Sequence, residues 1–323
     1  NKICTPRCEL RAERIYPQLR RYLTPALCRR PMKKSHCRSR FEAAKSNYAI
    51  ILRHIKGDLM NFESCGVLPR VFNDLEQAKT ELANSGAVIF EPIDCTEAGT
   101  RAFARDMFGD RLRALPDGAR VFEGGEHDIT RVQATNLKTT PCHTDGFAYG
   151  DLYPDFMLLS CVQESEVGGE SILVDGYKVL EALAADAELS WAARALRERK
   201  IDQTETGMQT SLSPICMDNG SGRTMVRRTL EQRPAKNSAD EEQDKKMIDL
   251  WHTSIDRASK SAPQFKLLPG QVVIVDNYRV MHGRSPYEDL NRMLWRVWVW
   301  TEDCLNVPDM PLASDTRYAA SRG

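Results

Sequence analysis

Apolar positions alternate with polar ones in the C-terminal third of the chain and follow a helical period in several segments before it. After the turn pair Pro269-Gly270, the β-branched run 272–275 reads as a buried strand. A polar break, Asp276-Asn277-Tyr278-Arg279, leads to His282-Gly283-Arg284, and a second strand is predicted over 292–300. Alternation there puts Arg292, Leu294, Arg296, Trp298 and Trp300 on one face, and Met293, Trp295, Val297 and Val299 on the other. Upstream, Phe156–Gln163 reads as a core strand, and Val167-Gly168-Gly169 as a tight turn into a strand over 171–174.

Helical spacing marks 41–60, through Ala44, Tyr48, Ile51, Leu52, Ile55 and Leu59. It also marks 76–84, with Asn84-Ser85-Gly86 as its stop, followed by a short buried strand Ala87–Phe90 and a helix Glu97–Phe108. Residues 109–130 read as a charged loop with turns at Pro116-Asp117-Gly118 and Gly124-Gly125, and His127 in it as a surface histidine. Polar amphipathic helices are expected over 189–200 and 241–257, with an irregular Ser-, Gly- and Met-rich stretch at 207–228 suited to a lid or substrate loop. After Asp303 the tail is expected to fray.

Two arginines on a face otherwise made of Leu and Trp are costly to bury without anionic partners, so either the face is solvated or it meets anions. His143-Thr144-Asp145 bears on that choice. Residues i and i+2 of a strand point the same way, so this imidazole and carboxylate can share one ion. Two imidazoles and one carboxylate on one face of an ion leave open positions, the arrangement suited to non-haem Fe(II). His-x-Asp alone is a weak signal. A distal histidine, His282, with Arg292 ten residues beyond it on a strand, strengthens it.

These residues give the chain a resemblance to the Fe(II)/2-oxoglutarate-dependent dioxygenases of the taurine dioxygenase type, closest to the γ-butyrobetaine dioxygenase-like branch. It is carried by HTDGFAYGDLYPDFMLLSCVQESEVGGESILVDGYKVLEAL (143–184), LLPGQVVIVDNYRVMHGR (267–284) and RMLWRVWVWTED (292–303), within a region of about 80–303. The resemblance implies a mainly β fold, a double-stranded β-helix (jelly-roll) core with peripheral helices. It implies Fe(II) on His143, Asp145 and His282, with 2-oxoglutarate and O₂ as cosubstrates. Arg292 and Ser171 match the positions that receive the distal carboxylate of 2-oxoglutarate, which gives a buried guanidinium its partner. Arg296 matches a second family arginine and is expected to support the first. Asp145 disfavours halogenation, because halogenases of this group carry a small residue in its place.

The branch resembled favours a small amino-acid-like or zwitterionic substrate. Oxidation of an unactivated C–H bond, with release of succinate and CO₂, is the expected reaction, and hydroxylation its default outcome. Oxidative cyclisation or desaturation is the alternative. Tyr149 and Tyr153 are cation–π candidates for a quaternary nitrogen, although wall packing explains them equally. Arg227 or Arg228 could hold a substrate carboxylate, or form a solvated basic pair. A non-catalytic binding barrel and a zinc hydrolase on the same triad are rival readings. The first is disfavoured by the presence of every ligand, the second because it leaves Arg292 without a purpose.

Composition and charge then set the frame. The chain has 323 residues, 41% hydrophobic, no net charge and ten cysteines. Mean hydropathy is −0.47. No apolar run approaches the roughly 20 residues of a membrane span, so no membrane partner is expected, and no RNA- or DNA-binding motif accompanies the basic residues, so nucleic acid is not expected either. Scattered cysteines in a core-rich chain suggest a reducing setting, soluble and cytoplasmic by default. Residues 1–40 hold nine Arg and three Lys against two Glu, a net of +10. Such a start resembles an organellar targeting segment, though it has few Ser, with a folded extension or a nucleic-acid arm as the other readings. Cys4, Cys8, Cys28, His36 and Cys37 are candidate zinc ligands there, but their spacing departs from the close clustering of the family's zinc module. The expected organisation is a basic, mostly helical extension over 1–75 and a dioxygenase domain over 76–323, with a helical insertion at about 185–265.

Overall fold

The computed structural model describes residues 62–121, 138–205, 209–229, 231–289 and 291–311. The expected helix at 41–60, the candidate zinc ligands, His127 and residues 312–323 lie outside them. One compact unit spans Met60–Gly323. It takes in residues 62–75, which the sequence reading placed with the extension, because Val67 joins the core and the strand β1 (Arg70–Phe72) joins a sheet.

After β1, helix α1 (Leu75–Ser85) starts where the Asp74 carboxylate accepts from the Gln77 N–H, and stops at Gly86, which takes the left-handed conformation. Strand β2 (Ala87–Phe90), helix α2 (Glu97–Phe108) and short strands β3 (Leu112–Ala114) and β4 (Ala119–Val121) follow. Next come β5 (Thr140–His143), β6 (Phe156–Gln163), β7 (Ser171–Asp175) and helices α3 (Gly176–Ala185) and α4 (Ser190–Glu198). Small strands β8 (Ile201–Asp202), β9 (Leu212–Ser213), β10 (Cys216–Asp218) and β11 (Thr224–Val226) precede helix α5 (Glu241–Ser261). The chain closes with β12 (Gln264–Phe265), β13 (Val272–Asp276), β14 (Val280–Arg284) and β15 (Met293–Thr301).

Two sheets form the core. The larger runs β1-β2-β13-β6-β15-β3, with β4 also on β15, and the smaller runs β12-β7-β14-β5. Among the described residues the sheets do not close into a barrel, and the period-two pattern divides their apolar faces among three clusters. Met157, Cys161, Val273, Leu294, Trp298 and Trp300 of the large sheet share one cluster with Leu173 and Val280 of the small sheet. The other face of the large sheet, with Leu158, Ile274, Val297 and Val299, packs on α1 and α2. The other face of the small sheet, with Ile172, Val174 and Met281, packs on α3, α4 and α5. The two-faced division of β15 expected from alternation is the one observed.

Three expectations are corrected. Within 109–121 the chain forms β3 and β4, because each pairs with β15 and satisfies backbone groups along that strand. The 207–228 stretch is not irregular throughout: Leu212–Ser213 pairs with β8, and β10 pairs with β11. The tail after Asp303 does not fray at once. Cys304 and Leu305 pack on Tyr153, Met225 and Tyr278, and the Leu305 N–H donates to the Tyr278 hydroxyl at 3.0 Å. Among the described residues, no helix is long and apolar enough to cross a membrane.

Candidate active site

The antiparallel pairing of β5 with β14 sets His143 directly opposite His282. The two rings stand 4.4 Å apart between centroids. Their strands come unusually close: a Cβ on Gly283 would lie 2.5 Å from the Thr140 carbonyl oxygen, so a side chain there would push β5 away. Two residues past His143, Asp145 is buried, with Oδ1 3.5 Å from His143 Nε2 and 3.7 Å from His282 Nε2. One ligand atom from each of the three lies within 4.8 Å of the others, a cluster that could hold a metal ion.

The electrostatics fit a divalent cation. Burial works against a charged Asp145, but the neighbouring Arg296 guanidinium outweighs it and holds the carboxyl below the usual range. Burial pushes His282 down to about 3, helped by neighbouring His143, so its imidazole is neutral and has a lone pair to give. His143 Nδ1 lies 2.9 Å from the Pro141 carbonyl oxygen. A carbonyl only accepts, so that nitrogen carries the proton and Nε2 presents its lone pair towards Asp145.

Arg292 is 7% exposed and stacks over the Tyr287 ring at 4.8 Å. It shares a small pocket with Cys161, Gly168, Gly169 and Leu294. Among the described residues its guanidinium has no ion pair or hydrogen bond, and the charged side chains that also line the pocket, Glu164 and Lys266, leave this buried cation without a bonded counter-charge. Ser171 opens β7 beyond the Gly168-Gly169 turn, and alternation sets it on the face of Leu173, towards the inter-sheet cluster.

Arg296 departs from its expected place. It lies against Asp145, with Nη1 3.3 Å from Oδ2, and over the Trp298 ring at 5.1 Å, rather than in the Arg292 pocket. The four candidate substrate residues are also relocated. Tyr149 is fully buried, edge-on to Trp298 at 5.7 Å and Trp300 at 5.2 Å. Tyr153 donates to the Val226 carbonyl, packs on Tyr278 and already has a cation over it, the Arg227 guanidinium at 5.4 Å. Arg227 is buried and donates to Ser211 Oγ at 2.7 Å. Arg228 is equally buried, donating to the Cys142 carbonyl at 2.7 Å and to Asp256 at 2.6 Å. Neither is a solvated pair, and Arg228 is a strut behind the strand that carries His143.

Two contributors escaped the sequence reading. Asn277, fully buried, binds the backbone of Asp145, and Trp298 donates its indole N–H to Asp145 Oδ2 at 2.8 Å. The signal for Asn277 was the polar break after 272–275. Trp298 already stood on the arginine face.

Known proteins bear on this geometry. Human γ-butyrobetaine dioxygenase is 26% identical over 182 residues, covering 49% of this chain and 43% of the relative, and the Pongo abelii protein matches to the same extent. The chain thus spans less than half the length of these curated relatives. Two solved structures share the fold. A taurine dioxygenase from Burkholderia xenovorans has a TM-score of 0.52 and 18% identity, covering 75% of this chain and 83% of its own. An asparagine oxygenase in complex with Fe(II), 2S,3S-3-hydroxyasparagine and succinate has a TM-score of 0.51 and 17% identity, covering 71% and 78%. A sequence model described as taurine catabolism dioxygenase TauD, TfdA family matches residues 66–298, and the chain belongs to that family.

Proposed function

We propose that the protein is an Fe(II)- and 2-oxoglutarate-dependent oxygenase that oxidises a C–H bond of a small amino-acid-like or zwitterionic substrate, with hydroxylation as the outcome. The observation that carries the reading is the presence in one fold of the His143–Asp145–His282 cluster, its carboxylate buried and its imidazoles partly open, and of a buried Arg292 that pairs with no described residue. Arg292 immediately precedes β15, and Arg296 lies four residues on within that strand, against Asp145.

In this reading His143, Asp145 and His282 hold the ion. The bound iron and 2-oxoglutarate supply the oxidising chemistry, with O₂ as oxidant and succinate and CO₂ as products. Arg292 and Ser171 orient the diacid through its far carboxylate, where low dielectric strengthens a forked guanidinium–carboxylate pair. Arg296 balances the Asp145 charge. Trp298, buried against Tyr149 and Trp300, covers the Asp145 side of the cluster. The zwitterionic substrate class is supported by the names of the γ-butyrobetaine and asparagine enzymes above. It does not rest on Tyr149 or Tyr153, which are occupied by core packing.

The test is a screen of amino acids and betaines for substrate-stimulated succinate release by the Fe(II)-loaded protein. Stimulation by a member of that class is the expected result. Zn²⁺-dependent turnover that persists without O₂ would overturn the reading in favour of a hydrolase.

A further inference from the structure

The two oxygens of the Asp145 carboxylate have different surroundings. Oδ1 faces the imidazoles, 3.5 Å from His143 Nε2 and 3.7 Å from His282 Nε2. Oδ2 accepts the Trp298 indole N–H at 2.8 Å. Arg296 straddles the group, 3.3 Å from Oδ2 and 3.5 Å from Oδ1, so it does not itself distinguish the two. The indole is held firmly. Trp298 is 6% exposed, edge-on to Tyr149 and to Trp300, with the Arg296 guanidinium over its ring. A buried N–H that gives up this acceptor finds no water in its place, so Oδ2 is kept from turning towards an ion.

We propose that Trp298 is a positioning residue that restricts Asp145 to a single metal-facing oxygen, Oδ1. The proposal rests on the reading of His143, Asp145 and His282 as metal ligands. Its consequence is a count. Three protein ligand atoms leave three positions on a six-coordinate ion, enough for a chelating 2-oxoacid and one further ligand. A carboxylate free to chelate through both oxygens would leave two.

Trp300 provides an internal control. It lies two residues on, in the same cluster, edge-on to the same tyrosine at 5.2 Å. Its indole N–H donates to the Leu152 carbonyl at 2.9 Å, not to the carboxylate. Trp298→Phe and Trp300→Phe therefore remove the same chemical group from the same aromatic cluster, and only the first takes a hydrogen bond from Asp145.

The experiment loads the full chain with Mn(II). Affinity is read from the electron paramagnetic resonance of free ion, and bound water from proton relaxivity, with far-ultraviolet circular dichroism to establish folding. Trp298→Phe should weaken Mn(II) binding on the order of 10- to 100-fold, the range for removal of a hydrogen bond to a metal ligand. It should also lower the number of exchangeable waters by one, while Trp300→Phe leaves both readouts at the wild-type value. Benzothienylalanine at position 298, which keeps the bicyclic shape and replaces only the N–H, should act like Trp298→Phe and serves if that variant does not fold. Unchanged affinity and water number in the 298 variants, or equal losses at 298 and 300, would overturn the proposal. A folded wild-type protein that binds no Mn(II) would instead overturn the metal reading beneath it.

Discussion

The side chain of Asn277 holds Asp145 by its backbone from both sides. Its Oδ1 accepts from the Asp145 N–H at 2.9 Å, and its Nδ2 donates to the Asp145 carbonyl at 3.1 Å and to the Pro154 carbonyl at 2.8 Å. The loop after β13 thus fixes a carboxylate that lies 132 residues earlier in the chain. Asn277→Ala leaves buried backbone groups without partners, at about 1–3 kcal/mol each before any water enters. The expected loss is about 2–4 kcal/mol in urea unfolding, with at least tenfold weaker metal binding. Asn277→Asp should not restore the wild type, since a carboxylate would face two carbonyl oxygens. Wild-type stability together with wild-type metal affinity in the alanine variant would remove Asn277 from the site.

Arg228 supplies a second prediction, one of stability rather than recognition. Its guanidinium spans the Cys142 carbonyl and Asp256, but Asp256 is half exposed, so the ion pair itself contributes little. Arg228→Met keeps the stem and loses the buried hydrogen bond, for an expected destabilisation of about 1–3 kcal/mol. The substrate KM of the folded enzyme should change by less than about threefold. A large rise in KM with unaltered unfolding would return Arg228 to the substrate site.

Most of the fold was legible because its period-two and helical patterns agree with turn chemistry at Gly86, Gly168-Gly169 and Pro269-Gly270. The metal candidates were legible from the His-x-Asp spacing and the distal histidine, although β5 ends at His143 and Asp145 is placed by the bend beyond it and by Asn277 rather than by strand alternation. What was not legible depends on long-range packing. Whether Arg227 and Arg228 meet solvent or protein is decided by Ser211, Cys142 and Asp256, which no local pattern joins to them. Alternation showed that Arg296 and Trp298 share a face, but not that Asp145 is the acidic group they meet. Short strands such as β3 and β4 form because β15 offers them backbone partners, a cause invisible in three residues of sequence.

A third prediction concerns pH. His252 on α5 has its Nε2 2.7 Å from Gln232 Oε1, and burial pushes its pKa down from 6.5 to about 4. Between those values the unfolded chain binds a proton that the folded chain refuses, so stability is full above about 6.5 and falls as pH drops towards 4. At 1.36 kcal/mol per unit, the loss approaches about 3 kcal/mol. His252→Gln should flatten the urea-midpoint curve across that window relative to wild type. Superimposable slopes would show that His252 titrates normally in the fold.

Gly169 tests the pocket by steric means. Its φ is +75°, and a Cβ there would sit 3.0 Å from Arg292 Nε and 3.3 Å from Cδ. Gly169→Ala must strain the turn, at about 1–2 kcal/mol, and displace the guanidinium. The expected result is a severalfold to tenfold rise in the 2-oxoglutarate dissociation constant with metal binding unchanged. An unaltered constant would place the cosubstrate elsewhere.

If the metal cluster and Arg292, which pairs with no described residue, share a single cosubstrate site, calorimetric titration of 2-oxoglutarate into the Mn(II)-loaded protein will show it. Binding should require the metal and disappear in His282→Ala. Loss of a desolvated pair to a carboxylate costs on the order of 2–5 kcal/mol, so Arg292→Ala should weaken binding roughly thirtyfold or more. Arg292→Lys should recover part of that loss, because a point charge cannot reproduce the guanidinium fork. Binding that is indifferent to the metal, or equally tight in Arg292→Ala, would contradict the account.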